Sequence, residues 1–237
     1  MIWKKIHYNR YLPLFYWAVL ASGVLAMLSN CKSFSSGEQA LFLSEKKYQT
    51  AIMQMQLGLT YLEHDQKPRA KEKLLKALAL APQSSEVNAA MAYFWEVTGE
   101  LDLAKKLYEK SITLALDQGA PLNNYATFLC RQKDYHGAEK YFLQAVADTQ
   151  YINSAIAYEN AGICMEKASN YKKAMYYYEK SLQQDSTRKH ALKALLTLEL
   201  RFNQPKRALL WIQRYNLQIV NDPELLTIAR KTALQSQ

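Results

Sequence analysis

Three cysteines and four histidines are the residues best suited to chemistry, and their spacing limits what they can do. The cysteines form no CxxC pair, and no two histidines have the HxxH or HExxH spacing of a zinc site. We therefore predict no bound metal and no other cofactor. These residues are Cys31, Cys130, Cys164, His7, His64, His136 and His190.

Cys130 and Cys164 are open to two interpretations, since they are either buried thiols or the two halves of one disulfide. We favour buried thiols, because a free cysteine behaves as a small apolar core residue.

Glu159 and Glu166 are the carboxylates with the most suggestive spacing, two helical turns apart on one helix face. We interpret them as part of an exposed charged face rather than as a catalytic pair. The chain also has no nucleophile motif and no phosphate-binding loop. The sequence thus predicts a protein that is not an enzyme and has no small-molecule substrate.

The N-terminus combines basic residues with a long uncharged run. Lys4, Lys5 and Arg10 precede 21 uncharged residues, Tyr11 to Cys31. As a helix, this run would cover roughly 30 Å, enough to span a bilayer, so a retained membrane anchor is one interpretation and a cleaved signal peptide is the other. In both cases the basic residues hold the N-terminus in the cytoplasm, and the chain after Cys31 is exported.

The end of the run, Leu28-Ser29-Asn30-Cys31, resembles the bacterial lipobox, although Asn30 stands where a smaller residue is usual. The resemblance implies a signal peptide over 1–30, lipidation of Cys31 and a lipidated tether over 31–40. Lys32 follows the cysteine where Asp would imply retention in the inner membrane. The lipobox reading therefore predicts the periplasmic face of the outer membrane, whereas an uncleaved anchor predicts the inner membrane with a periplasmic domain.

The net charge of +9 does not single out a polyanionic partner. Three of the basic residues belong to 1–31, which contain no acid, and the others are spread along the chain beside acidic residues. We interpret them as solvated helix faces and predict no nucleic-acid partner.

An internal repeat organises the rest of the chain. Five alanines recur at spacings of 34, 34, 36 and 34, each followed four residues later by a large apolar residue. Turn signals lie between the two helices of each repeat, and an isolated helical pair cannot bury its apolar face, so the repeats must stack. The alanines are Ala70, Ala104, Ala138, Ala174 and Ala208, and the large residues are Leu74, Tyr108, Phe142, Tyr178 and Ile212.

This pattern resembles the tetratricopeptide repeat. It implies an all-α solenoid of five to six helix-turn-helix repeats over 41–237, after the N-terminal signal or anchor. Residues 38–48 are expected to form a leading helix. The predicted repeats are 51–84, 85–118, 119–152, 155–188 and 189–222, with a closing helix over 223–235.

Tetratricopeptide solenoids bind other proteins in a concave groove formed by the first helix of each repeat. The groove positions of repeat one are apolar, and those of the later repeats are increasingly polar. Alternatively, the leading helix could bury the apolar positions of repeat one as part of the core. The lysines that a carboxylate clamp requires are missing. The candidate partner-binding residues are Ile52, Met55, Leu59, Leu62, Tyr93, Asn123 and Asn124.

Residues 45–200 are also similar to the type IV pilus biogenesis lipoproteins of the PilF/PilW type. The similarity is carried by Leu122-Asn123-Asn124-Tyr125, by "ADTQY" over 147–151 and by Glu159-Asn160-Ala161-Gly162. It implies a pilotin, a lipoprotein that binds the secretin subunit of the pilus and promotes its localisation and assembly. The lipid bilayer, reached through acylated Cys31, is the second implied partner. Two alternatives stay open: a general envelope scaffold, such as a component of outer-membrane protein insertion, and an inner-membrane-anchored periplasmic adaptor.

Overall fold

A computed structural model describes residues 36–235, so the candidate lipidation site, Cys31, lies outside the described part. All secondary structure within 36–235 is helical. The helices are α1 (Ser36–Glu63), α2 (Lys67–Leu80), α3 (Ser85–Thr98), α4 (Leu101–Leu114), α5 (Gly119–Arg131), α6 (Tyr135–Ala147), α7 (Ser154–Lys167), α8 (Tyr171–Gln184), α9 (Lys189–Arg201), α10 (Pro205–Arg214), α11 (Asn216–Val220) and α12 (Pro223–Gln235).

The chain divides into two units after Lys47. The described part of the first unit, residues 36–47, is helical and largely exposed. Residues 38–48, the predicted leading helix, are helical, and they are continuous with the first helix of repeat one in α1. Within 36–235, no helix combines the length and the apolar character needed to cross a bilayer.

In the second unit, small residues let the helices of each pair approach closely. All five repeat alanines are fully buried, and Leu74, Tyr108, Phe142 and Tyr178 are at most 3% exposed. At Gly162 the approach is so close that a Cβ atom would lie 2.6 Å from the ring of Tyr178. The alanine pattern therefore marks the helix pairs and their core.

The first helix of every repeat ends in the same turn. Five residues with positive φ follow these helices, and only one of them is glycine. In each turn the next backbone N–H donates to the carbonyl five residues earlier, as from Gln66 to Tyr61 at 2.8 Å and from Asn170 to Met165 at 2.8 Å. These residues are Asp65, Gly99, Lys133, Ser169 and Asn203, and they repeat with the spacing of the alanines.

Candidate functional site

A cavity of about 450 Å³ opens where α1, α3 and α5 lie side by side. Its wall is apolar on the α1 side and rich in side-chain amides on the α5 side. The lining residues are Met55, Leu59, Glu86, Ala89, Ala90, Tyr93, Tyr108, Asn123, Asn124, Thr127, Arg131 and Asn160.

The structure brings five of the seven predicted partner-binding residues together in this wall: Met55, Leu59, Tyr93, Asn123 and Asn124. The other two lie elsewhere. Leu62 is only 7% exposed and belongs to the core between the first two repeats, because the helix turns it toward the second helix of its own repeat. Ile52 is half-buried and does not line the cavity.

The apolar part of the wall can pack against a hydrophobic side chain. Met55 and Leu59 are half-buried, and Tyr93 is 39% exposed. The guanidinium of Arg131 lies 5.7 Å from the centre of the Tyr93 ring and limits the positions that this ring can take. A ligand that covered these side chains would remove apolar surface from water.

Arg131 is itself held by an ion pair with Glu96. The Nε and Nη2 atoms of Arg131 both donate hydrogen bonds to the Glu96 carboxylate, Nη2 at 2.7 Å. The side chain of Glu96 is almost fully buried. Tyr108 adds a third hydrogen bond from its hydroxyl group at 3.1 Å. Burial and the nearby Glu96 carboxylate raise the pKa of Tyr108, so that its hydroxyl group stays protonated and acts as a donor.

The polar part of the wall presents amides. Asn160 on α7 donates from Nδ2 to Oδ1 of Asn123 on α5 at 3.0 Å, which fixes both amides. The hydroxyl group of Thr127 donates a hydrogen bond to the backbone carbonyl of Asn123 at 2.8 Å. Asn124 is exposed beside them. Side-chain amides carry both donors and acceptors, so this part of the wall is suited to the backbone of an extended peptide.

Cys130 and Cys164 form a disulfide between α5 and α7, with their Cα atoms 5.7 Å apart. Our expectation of two buried thiols was therefore wrong. The two cysteines are 34 residues apart in the chain, but the stacking of consecutive repeats places their helices side by side. The disulfide joins the first helices of repeats three and four directly next to Arg131.

The expectation of an exposed acidic face at Glu159 and Glu166 was also wrong. Glu159 is 7% exposed and accepts a hydrogen bond from Arg188 at 2.8 Å, and Glu166 accepts one from Tyr178 at 3.0 Å. Glu159 is thus paired with Arg188, which directly precedes α9, and Glu166 is bonded to Tyr178 on α8. Among the residues that the structure describes, no group of three or more His, Cys, Asp or Glu side chains could hold a metal ion.

Seven lining residues are not among the predicted partner-binding residues, and Arg131 is the basic one among them. It directly follows Cys130 at the end of α5, and its role depends on Glu96, which is 35 residues earlier in the chain. A basic residue at the end of the first helix of one repeat, together with an acid near the end of the first helix of the preceding repeat, is the signal that could have revealed it.

Residues 117–186 match the Tetratricopeptide repeat family. The type IV pilus assembly protein PilF of Pseudomonas aeruginosa is 33% identical over 150 residues, which are 63% of this chain and 60% of PilF. The matching part of the chain thus spans about three fifths of that relative. An uncharacterised protein of Haemophilus influenzae is 31% identical over 141 residues, which are 59% of this chain and 76% of that protein.

Solved structures agree with these matches. The structure of P. aeruginosa PilF has a TM-score of 0.64 at 26% identity, covering 79% of this chain and 85% of that one. PilW, described as a widely conserved type IV pilus biogenesis factor, has a TM-score of 0.62 at 24% identity, covering 79% and 86%, and this similarity shows the fold alone. The predicted all-α repeat solenoid is confirmed: residues 117–186 match the Tetratricopeptide repeat family, and PilF is among the homologues of the chain.

Proposed function

We propose that this protein acts in type IV pilus biogenesis as a pilotin, a scaffold that binds the secretin subunit and promotes its localisation and assembly. The sequence and structural similarity to PilF supports a role in pilus assembly. The fold supports protein binding, because stacked helical repeats create extended concave surfaces.

The cavity between α1, α3 and α5 is the observation that carries the proposal. Met55, Leu59 and Tyr93 offer an apolar wall for one or two hydrophobic side chains of the secretin. Asn124 and the bonded pair of Asn123 and Asn160 lie where the backbone of the same segment would pass. The proposed ligand is therefore a short secretin segment with apolar residues at its anchoring end.

Replacing Leu59 by Glu tests this assignment. The variant places a charge on the apolar wall, where a bound hydrophobic segment would leave the carboxylate without water or a partner. We expect the retention of secretin in a pull-down to fall more than tenfold, since burying an uncompensated charge costs more than about 1.4 kcal/mol.

Leu75→Glu provides the matched control, because Leu75 on α2 is 46% exposed and does not line the cavity. It should retain secretin like the wild type. Circular dichroism must show both variants folded. A folded Leu59→Glu variant that retains secretin as well as Leu75→Glu does would exclude the cavity as the secretin site.

The proposed location is the periplasmic face of the outer membrane, anchored through lipid on Cys31. Cys31 lies outside the described residues, so the support comes from its sequence context. Labelling with radioactive palmitate should mark the wild type and fail in Cys31→Ser, and the variant should leave the outer-membrane fraction. Labelled palmitate in Cys31→Ser, or wild-type protein recovered only with the inner membrane, would contradict this location.

A further inference from the structure

A second cavity, of about 530 Å³, opens between α7 and α9, in repeats four and five. Like the first cavity, it is lined mainly by the first helices of consecutive repeats, but its chemistry differs, since its rim is basic. The lining residues are Ile163, Glu166, Lys167, Tyr171, Tyr178, His190, Lys193, Ala194, Thr197 and Arg201.

The positive charge of the repeat region is concentrated in this half of the chain. Residues 155–237 contain 13 Lys or Arg and 7 Asp or Glu, whereas residues 36–154 contain 13 basic and 14 acidic residues. The first cavity thus lies in a nearly neutral part of the sequence and the second in a basic part. Such an asymmetry attracts acidic ligands to one end only.

Two rim cations have no acidic partner among residues 36–235. Lys167 at the end of α7 is exposed and makes no ion pair there. Arg201 at the end of α9 lies over the Tyr171 ring, with the guanidinium carbon 4.4 Å from the ring centre. This stacking fixes the plane of the guanidinium and leaves its nitrogens able to bind a carboxylate.

The remaining charges of the rim already have partners within the described chain. Lys193 pairs with Glu224, and His190 lies 3.4 Å from Glu159. Glu166 is the acidic residue of the lining, and its carboxylate accepts a hydrogen bond from the hydroxyl group of Tyr178. Lys167 and Arg201 are therefore the cations that an incoming anion would meet.

The floor between these cations is apolar. Ile163, Ala194 and the ring of Tyr171 are half-buried and line the space below the rim. A simple anion would leave this floor in water, whereas a peptide could cover it with a hydrophobic side chain.

We propose that the cavity between α7 and α9 binds an acidic linear peptide segment. Two carboxylates of the segment bind Lys167 and Arg201, and an apolar residue between them packs on Ile163 and Ala194. The concave shape favours a peptide over a flat anionic membrane, which could touch the rim but not the floor. This site is separate from the proposed secretin cavity and does not depend on what binds there.

A pair of labelled peptides tests the proposal by fluorescence anisotropy with the detergent-solubilised full-length protein. One peptide alternates Glu and Leu, and its partner has Gln at every Glu position. We expect the Glu peptide to bind at least tenfold more tightly than the Gln peptide, and its affinity to fall as salt is added.

The double variant Lys167→Gln and Arg201→Gln should weaken binding of the Glu peptide about tenfold, because two carboxylate contacts are lost. Lys172→Gln with Lys206→Gln is the matched control: these exposed residues do not line the cavity, and the variant loses the same charge. The control should bind the Glu peptide like the wild type.

Equal weakening in both double variants would reduce the effect to overall charge and overturn the proposal. Equal affinity for the Glu and Gln peptides would overturn it as well. Vesicles of phosphatidylglycerol and phosphatidylcholine supply the competing surface. A third outcome is that the vesicles bind the wild type but not the Lys167→Gln and Arg201→Gln variant, while the Glu peptide binds neither. That result would overturn the proposal and assign the basic rim to a membrane surface.

Discussion

Tyr108 donates a hydrogen bond from its hydroxyl group to the carboxylate of Glu96, twelve residues earlier in the chain. Tyr178 and Glu166 are also twelve residues apart and repeat this bond at 3.0 Å. At the same two positions, repeat one has Leu62 and Leu74 and repeat three has Cys130 and Phe142. Polar and apolar pairs therefore alternate from one repeat to the next, and the polar pairs fall beside the two cavities.

Replacing Tyr108 by Phe should lower the free energy of unfolding by about 1 kcal/mol, because a buried hydrogen bond to a carboxylate is lost while the ring is kept. Urea unfolding followed by circular dichroism measures this change. Tyr176→Phe serves as the control, since Tyr176 is 51% exposed and its loss of a hydroxyl group should have little effect. Equal stabilities of the two variants would show that the bond to Glu96 contributes nothing.

The repeat core could be predicted from the sequence, because it depends on residue size at a fixed period. Ala70, Ala104, Ala138, Ala174 and Ala208 were identified by spacing alone, and each is fully buried. Five of the seven predicted groove residues lie in one cavity for the same reason. The period fixes which helix face points inward, and small residues fix how closely the helices approach.

Contacts between repeats could not be predicted in the same way. The bond between Arg131 and Glu96 and the disulfide between Cys130 and Cys164 each join residues 34 or 35 positions apart. Such pairs depend on the rotation of one helix relative to the next, which the period does not determine. Leu62 shows the same limit, since a small rotation of α1 decides between groove and core.

Gly162→Ala should destabilise the protein by about 1–3 kcal/mol, since overpacking a tight core costs that much. The added Cβ would lie 2.6 Å from two atoms of the Tyr178 ring, which is itself held by Glu166 and cannot move away freely. Thermal unfolding would show the loss.

Gly37→Ala is the matched control, because a Cβ at Gly37 meets nothing within 4 Å. It should leave the stability unchanged or raise it slightly, since alanine favours helix more than glycine does. If both variants unfold at the same temperature as the wild type, the close approach of α7 to α8 does not limit residue size at position 162.

Reducing the disulfide should lower the free energy of unfolding by roughly 3–4 kcal/mol, the value expected for closing a loop of this length. Urea unfolding with and without dithiothreitol gives the difference. The double variant Cys130→Ala and Cys164→Ala must show no further loss with dithiothreitol. Rapid alkylation of both cysteines in the native exported protein, without reductant, would contradict the disulfide.

Glu199 on α9 should make the protein less stable as the pH rises. The residue is fully buried and its carboxylate oxygens accept no hydrogen bond from the described residues, although Arg207 lies 3.2 Å away. Burial raises the pKa of Glu199 and the nearby Glu179 adds to this, while Arg207 opposes it. The folded protein therefore keeps the proton to a higher pH than the unfolded chain, so stability falls as the pH rises from the ordinary glutamate pKa through the raised value.

Glu199→Gln removes this ionisation and keeps the shape of the side chain. At about pH 7 the variant should be more stable than the wild type by about 1 kcal/mol, the order of the cost of an unsatisfied buried acceptor. The difference should vanish below about pH 3, where the wild-type carboxyl group is protonated in both the folded and the unfolded state. Glu63→Gln is the control, because Glu63 is exposed, and its free energy of unfolding should equal that of the wild type at both pH values. If Glu199→Gln is also as stable as the wild type at both pH values, the ion pair with Arg207 compensates the burial of the charge completely.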